Sequence, residues 1–137
     1  MIVVDASVWV SYMVPQEINH LTSRRWINQY LAGGGQIVAP LLLAVEVGGA
    51  VARRSGRSVE ARQAVAVIVR LPTTRWIALD YRLTLAATRL AIDLRLRGAD
   101  ALYVAVAVQF NIPLITWDHE QIDRAGVQLE VRTPATS

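Results

Sequence analysis

Apolar positions along this chain follow two rhythms, and their alternation predicts the element order. Short β-branched runs, IVV before Asp5, QIVA at 36–39, a run at 76–79, IPLIT at 112–116 and VQLEV at 127–131, read as strands. Between them lie longer stretches of helical period. Ser7 is positioned to cap a helix from about Val8 that Pro15 stops, and Glu17 to Ala32 reads as a second helix closed by GGG at 33–35. Pro40 opens an apolar helix to about Arg54 that carries Glu46, and Ser58 to Arg70 follows with Ala61, Val65 and Ile68 on one face. Tyr81 to Arg97 sets Leu83, Ala87, Leu90 and Leu94 in one stripe, with Arg82, Arg89 and Asp93 on the solvated side. Gly98 breaks that helix, and Asp100 starts the next, which ends near Asn111; WDHEQIDRAG is a short helix or turn.

Strands separated by helices predict an α/β/α sandwich on a mainly parallel sheet of four to five strands. With 137 residues, 53% of them apolar, the chain suits one domain, placed at 1–132, with RTPATS at 132–137 as its loose end and 133–137 outside the domain. The N-terminus lacks the basic and apolar pattern of a secretory signal, and no apolar run approaches the roughly 18 residues that span a bilayer, so a cytoplasmic protein is expected.

Cysteine is absent, which removes disulfides, thiolate metal sites and a cysteine nucleophile. All 14 basic residues are arginine, at a net charge of +3. Arginine's planar fork suits phosphate, although a coding preference for arginine explains the same bias. Without lysine there is no P-loop and no receiver-type phosphorylation site. No serine sits in a GxSxG elbow, and GGG at 33–35 lacks the third glycine of a dinucleotide fingerprint.

Acids occur where apolar sequence makes them expensive. Asp5 ends one strand, Asp118 follows another, and Glu46 lies within LLLAVEVGGAV. Asp100 precedes eight consecutive apolar residues, Ala101 to Val108, where an ionised carboxylate requires a partner. Each has an ordinary explanation: Asp5 and Asp100 as helix caps worth about 1 kcal/mol, Asp118 as the start of a turn. In a parallel sheet, however, strand-end acids emerge at one edge, where ligands collect. Carboxylates brought together there need a cation, and oxygen-only ligation selects Mg²⁺ or Mn²⁺, the equipment for hydrolysing a phosphodiester.

MIVVDASVW, the glutamate after PLLLAV, GADALYVAVA and IPLITWD together resemble PIN domains, specifically the VapC ribonuclease toxins of toxin–antitoxin pairs. The resemblance spans nearly the whole chain in order and spacing. It implies a PIN-like fold and an acidic Mg²⁺ centre of Asp5, Glu46, Asp100 and Asp118. It also implies RNA as substrate, a 5′-phosphate product, a homodimer, and a cognate VapB-type antitoxin whose tail enters the active-site groove. A catalytically silent PIN-fold module that binds RNA or protein is the competing reading; retention of four mutually repelling acids argues against it.

Ser7 and Thr116 flank the strand-end acids and could hold a carboxylate or a metal-bound water, though cap and strand-end roles account for them equally. Arg95 and Arg97 are candidate phosphate contacts by location, against a solvated helix end. Glu120 and Asp123 stay outside the core set, with Gln121 where a further acid would be expected. His119 and His20 read as ordinary histidines. Trp9, Trp26, Trp76 and Trp117 read as core or interface anchors, and Val8, Tyr12 and the helix near Leu41 as a possible dimer face.

Overall fold

The computed structural model describes residues 1–137. Its sheet has five parallel strands, one at the upper end of the expected number: β1 (Ile2–Val4), β2 (Ile37–Pro40), β3 (Thr74–Ile77), β4 (Leu114–Ile115) and β5 (Val131–Arg132). They run in the order β3-β2-β1-β4-β5. Val3 pairs with Val38 on one side and Leu114 on the other, so β1 is central. Its three residues are all buried, as expected of a strand covered on both faces.

Seven helices connect the strands: α1 (Ala6–Met13), α2 (His20–Ala32), α3 (Leu42–Ser55), α4 (Ser58–Val69), α5 (Tyr81–Leu94), α6 (Gly98–Phe110) and α7 (His119–Ala125). The chain steps from β1 to β2 to β3 in one direction, then returns past β1 to β4. Right-handed crossovers therefore put α1–α4 on one face and α5–α6 on the other. The order reverses between β1 and β4, and that is where a ligand crevice opens.

Helix α6 packs against β1, β2 and β4 and under α5. Its residues Ala101 to Ala107 are all buried, so the apolar run is a helix covered on every side until Val108, which is exposed. Burying Val104 and Val106 is worth about 1.5–3 kcal/mol each. No helix is long and apolar enough to cross a membrane.

The structure corrects several expected boundaries. Helix α5 ends at Leu94, not Arg97, because Arg95 turns left-handed at φ 54° and its N–H bonds to Ala91; Gly98 then opens α6. Asp100 is consequently the third residue of α6 and not its cap; Arg97 occupies the cap position. Ser7 likewise does not cap α1, since Asp5 accepts the Ser7 N–H. Helix α2 starts at His20 because turns carry residues 17–19, and Pro40 closes β2 before α3 begins at Leu42. Strand β3 lies two residues earlier than expected, while β5 keeps only Val131 of the final run and extends to Arg132. Val8 is wholly buried, so it forms no part of a dimer face, whereas Leu41 is half exposed.

Candidate metal centre

Asp5, Glu46, Asp100 and Asp118 line one open cavity of about 480 Å³ beyond the carboxyl ends of the strands. Ser7, Arg53, Arg54 and Arg97 share the lining. Four residues from four separate parts of the chain meet because β1 and β4 are neighbours and α3 and α6 flank them from opposite faces.

Asp5 is the most completely held. It is buried, and its Oδ2 accepts the Ser7 N–H at 2.9 Å and the Thr116 hydroxyl at 3.2 Å, while Oδ1 accepts from Gln121 Nε2 at 3.3 Å. Asp118 caps α7 through Oδ1, which takes the Glu120 and Gln121 N–H groups, leaving Oδ2 outside the cap. Cap and site roles are thus compatible for both residues. Asp100 has no such support: its Oδ2 is buried without a hydrogen-bond partner. Burial, with Asp5 and Asp118 nearby, pushes its carboxyl up to about 6, against weaker opposing pulls from Gln121 and Arg97. Burial also raises Glu46; the bond donated by the Tyr103 hydroxyl opposes this and the charge of Asp5 reinforces it.

These residues fit a hard divalent cation by donor chemistry. The donors are oxygen only, one buried carboxylate oxygen is orphaned, and two carboxylates are held above their ordinary range, mainly by burial and further by the charge of Asp5, with Arg97 offsetting this only in part at Asp100. As the side chains stand, no three acidic or histidine groups close into a ready-made chelate. Like charges spread around a cavity are the expected arrangement without a counter-charge between them.

Thr116 proves to be a carboxylate holder for Asp5, and Ser7 ties the Thr116 hydroxyl at 3.3 Å to the Trp117 N–H at 3.0 Å. Arg97 reaches the cavity, but Arg95 is not in its lining; the Arg95 carbonyl instead accepts from Arg124. Glu120 pairs with Arg124 at 3.4 Å on the surface. Sequence reading missed Tyr103, Gln121, Arg53 and Arg54. Gln121 is fully buried, which its place on a short polar helix gave no reason to expect. Tyr103 was visible only as the one hydroxyl in an apolar run, and Arg53 and Arg54 as two adjacent charges about two turns after Glu46.

Comparison with known proteins bears on this site. The PIN domain family model matches residues 2–127. Among solved structures, the chain is similar to Mycobacterium tuberculosis VapC20, described as a sarcin–ricin loop cleaving toxin, at 19% identity and TM-score 0.76, covering 94% of this chain and 96% of that one. VapBC2 from Rickettsia felis, bound to a DNA fragment from its promoter, aligns at 14% identity and TM-score 0.72, over 97% and 98% of the two chains. FitAcB from Neisseria gonorrhoeae aligns at 17% identity and TM-score 0.72, over 98% and 99%. At these identities the likeness is one of fold. No curated protein matches significantly by sequence.

Proposed function

Because this chain belongs to the PIN domain family, we propose that it is an Mg²⁺- or Mn²⁺-dependent endoribonuclease of the VapC toxin type, acting in the cytoplasm on RNA phosphodiesters. The observation that carries this reading is the meeting of four carboxylates in one cavity, with the Asp100 Oδ2 buried and unpartnered. Residues 1–132 are taken as the single catalytic domain, and 133–137 as a tail beyond it.

Asp5, Glu46, Asp100 and Asp118 would hold the cation. Bound there, a divalent ion supplies a nucleophilic water at neutral pH and neutralises charge on the attacked phosphate. The protein's own groups do the rest. Thr116, Ser7 and Gln121 fix Asp5 in place before any ligand arrives. Tyr103 orients Glu46 and favours its ionised form. Arg53 and Arg97 stand on the cavity wall where substrate phosphates would lie, while Arg54 is paired with Glu17 at 3.0 Å. In-line attack would leave a 5′-phosphate.

A VapB-type antitoxin, RNA and a second copy of the chain are the partners in this reading. Complexes are named among the structurally similar proteins, and exposed Ile18, Leu21, Val45, Tyr81 and Ile92 offer apolar contact area here. The absence of a preformed chelate is the one observation that favours a silent RNA- or protein-binding module. Incubating the purified chain with RNA in Mg²⁺, Mn²⁺ or EDTA separates the two. Cleavage with either metal and none with EDTA is expected; binding of RNA without turnover in either metal selects the silent module.

A further inference from the structure

Trp117 stands between Thr116 and Asp118, and its own contacts form a directed chain that the mechanism does not use. The Ser11 hydroxyl donates to the Val8 carbonyl at 2.8 Å, so its single hydrogen is committed. Across the 2.6 Å to Ser23, the donor must therefore be Ser23. Ser23 Oγ is left as an acceptor, and Trp117 Nε1 donates to it at 2.9 Å. His20 Nδ1 adds a second tie between α2 and α1, donating to the Ser11 carbonyl at 2.8 Å. Ser11 and Ser23 are 3% and 0% exposed, so no solvent can replace these partners.

The other end of Trp117 is held from within the site. Its backbone N–H donates to Ser7 Oγ at 3.0 Å, Ser7 meets Thr116 Oγ1 at 3.3 Å, and Thr116 Oγ1 donates to Asp5 Oδ2 at 3.2 Å. The same Thr116 oxygen accepts the Asp118 N–H at 3.0 Å. Thr116 has one hydrogen, given to Asp5, so Ser7 is the donor between the two hydroxyls. Two relays thus run in opposite directions from one tryptophan, one ending on the α1 backbone and one on a site carboxylate.

We infer that Ser23, which does not line the cavity, is a positioning residue for Asp118 and Asp5, acting by clamping the Trp117 indole. Phenylalanine would fill most of the same volume; only the indole N–H makes the turn answerable to α2. Losing the clamp frees the 116–118 segment, which carries both the Thr116 bond to Asp5 and the Asp118 carboxylate. The inference rests on the proposed reading that these two acids hold a cation.

The test uses the full chain with Ser23→Ala, Trp117→Phe and the double variant. Alanine is the better helix former, so α2 is retained. Two quantities are read: Mn²⁺ affinity by titration, and amide hydrogen exchange of Trp117 and Asp118 in metal-free protein, with Val104 as the core reference. Ser23→Ala should weaken Mn²⁺ binding about three- to tenfold, at or below the low end known for groups that orient metal ligands. It should also speed exchange at Trp117 and Asp118 while Val104 stays unchanged. Trp117→Phe should do the same, and the double variant should be no worse than the larger single effect. A lower melting temperature with wild-type affinity and exchange would overturn the inference, as would effects that multiply. If the unsubstituted chain binds no Mn²⁺, the metal reading fails separately; exchange then decides, and unchanged exchange at Trp117 and Asp118 overturns the clamp.

Discussion

Tyr103, in the middle of α6 on one face of the sheet, gives its hydroxyl hydrogen to Glu46 of α3 on the other face. This bond joins the two helical layers at the strand ends, and it opposes the burial that raises the Glu46 carboxyl. Tyr103→Phe keeps the ring and removes the donor. Glu46 should then rise further, moving the acid limb of the pH–rate profile to higher pH. Loss of the bond should also cost about 1 kcal/mol of stability. A pH–rate profile beside chemical denaturation checks both.

Asp100 predicts how stability depends on pH without metal. Its folded-state carboxyl sits at about 6, above its ordinary 3.8, so between those values the folded chain binds more protons than the unfolded one. Stability should therefore fall as pH rises from about 4 to about 6, and the penalty should persist above that window. Asp100→Asn removes the ionisation. In EDTA at neutral pH this variant should be more stable than the parent by about 1 kcal/mol, allowing for solvent screening. Denaturation curves across pH 4–7 for the pair, taken as a difference, isolate this residue.

Gln121 is a neutral amide wedged beside Asp5, fully buried, with its Oε1 unpartnered. Gln121→Glu would place a fifth carboxylate there. Without metal it should destabilise the fold by about 3 kcal/mol, the scale of an uncompensated buried charge. Mg²⁺ should then raise the melting temperature more in this variant than in the parent. Thermal melts with and without Mg²⁺ measure the difference.

Arg53 and Arg97 face the cavity without a carboxylate ion-pair partner, unlike Arg54. Alanine at either should raise KM for RNA several-fold with little change in kcat. Removing one phosphate contact should also lower the slope of log affinity against log salt by about 1. Binding measured at several salt concentrations provides the check.

What could be read in advance follows from how local each cause is. IVV running into Asp5 and IPLIT running towards Asp118 were legible because buried parallel strands are written as contiguous apolar runs, and their acids then share an edge. Glu46 was legible from its company alone. The end of α5 and the start of α6 were not, because Arg95 takes a left-handed conformation more often given to glycine, while the nearby Gly98 does not need one. Gln121, Tyr103 and the Ser23 clamp were invisible for another reason. Their partners lie 116, 57 and 94 residues away, and pairings of that range are set by the strand order, which no local pattern encodes.

The most direct test of the account is the single-turnover rate of RNA cleavage against Mg²⁺ concentration, compared for the parent and for Asp5→Asn, Glu46→Gln, Asp100→Asn and Asp118→Asn. The account predicts saturable dependence on Mg²⁺ in the parent, no cleavage in EDTA, and a loss of at least about a hundredfold for each variant, the scale of an essential charge-stabilising group. Cleavage that persists in EDTA, or that survives Asp100→Asn at the parent's rate, would contradict it.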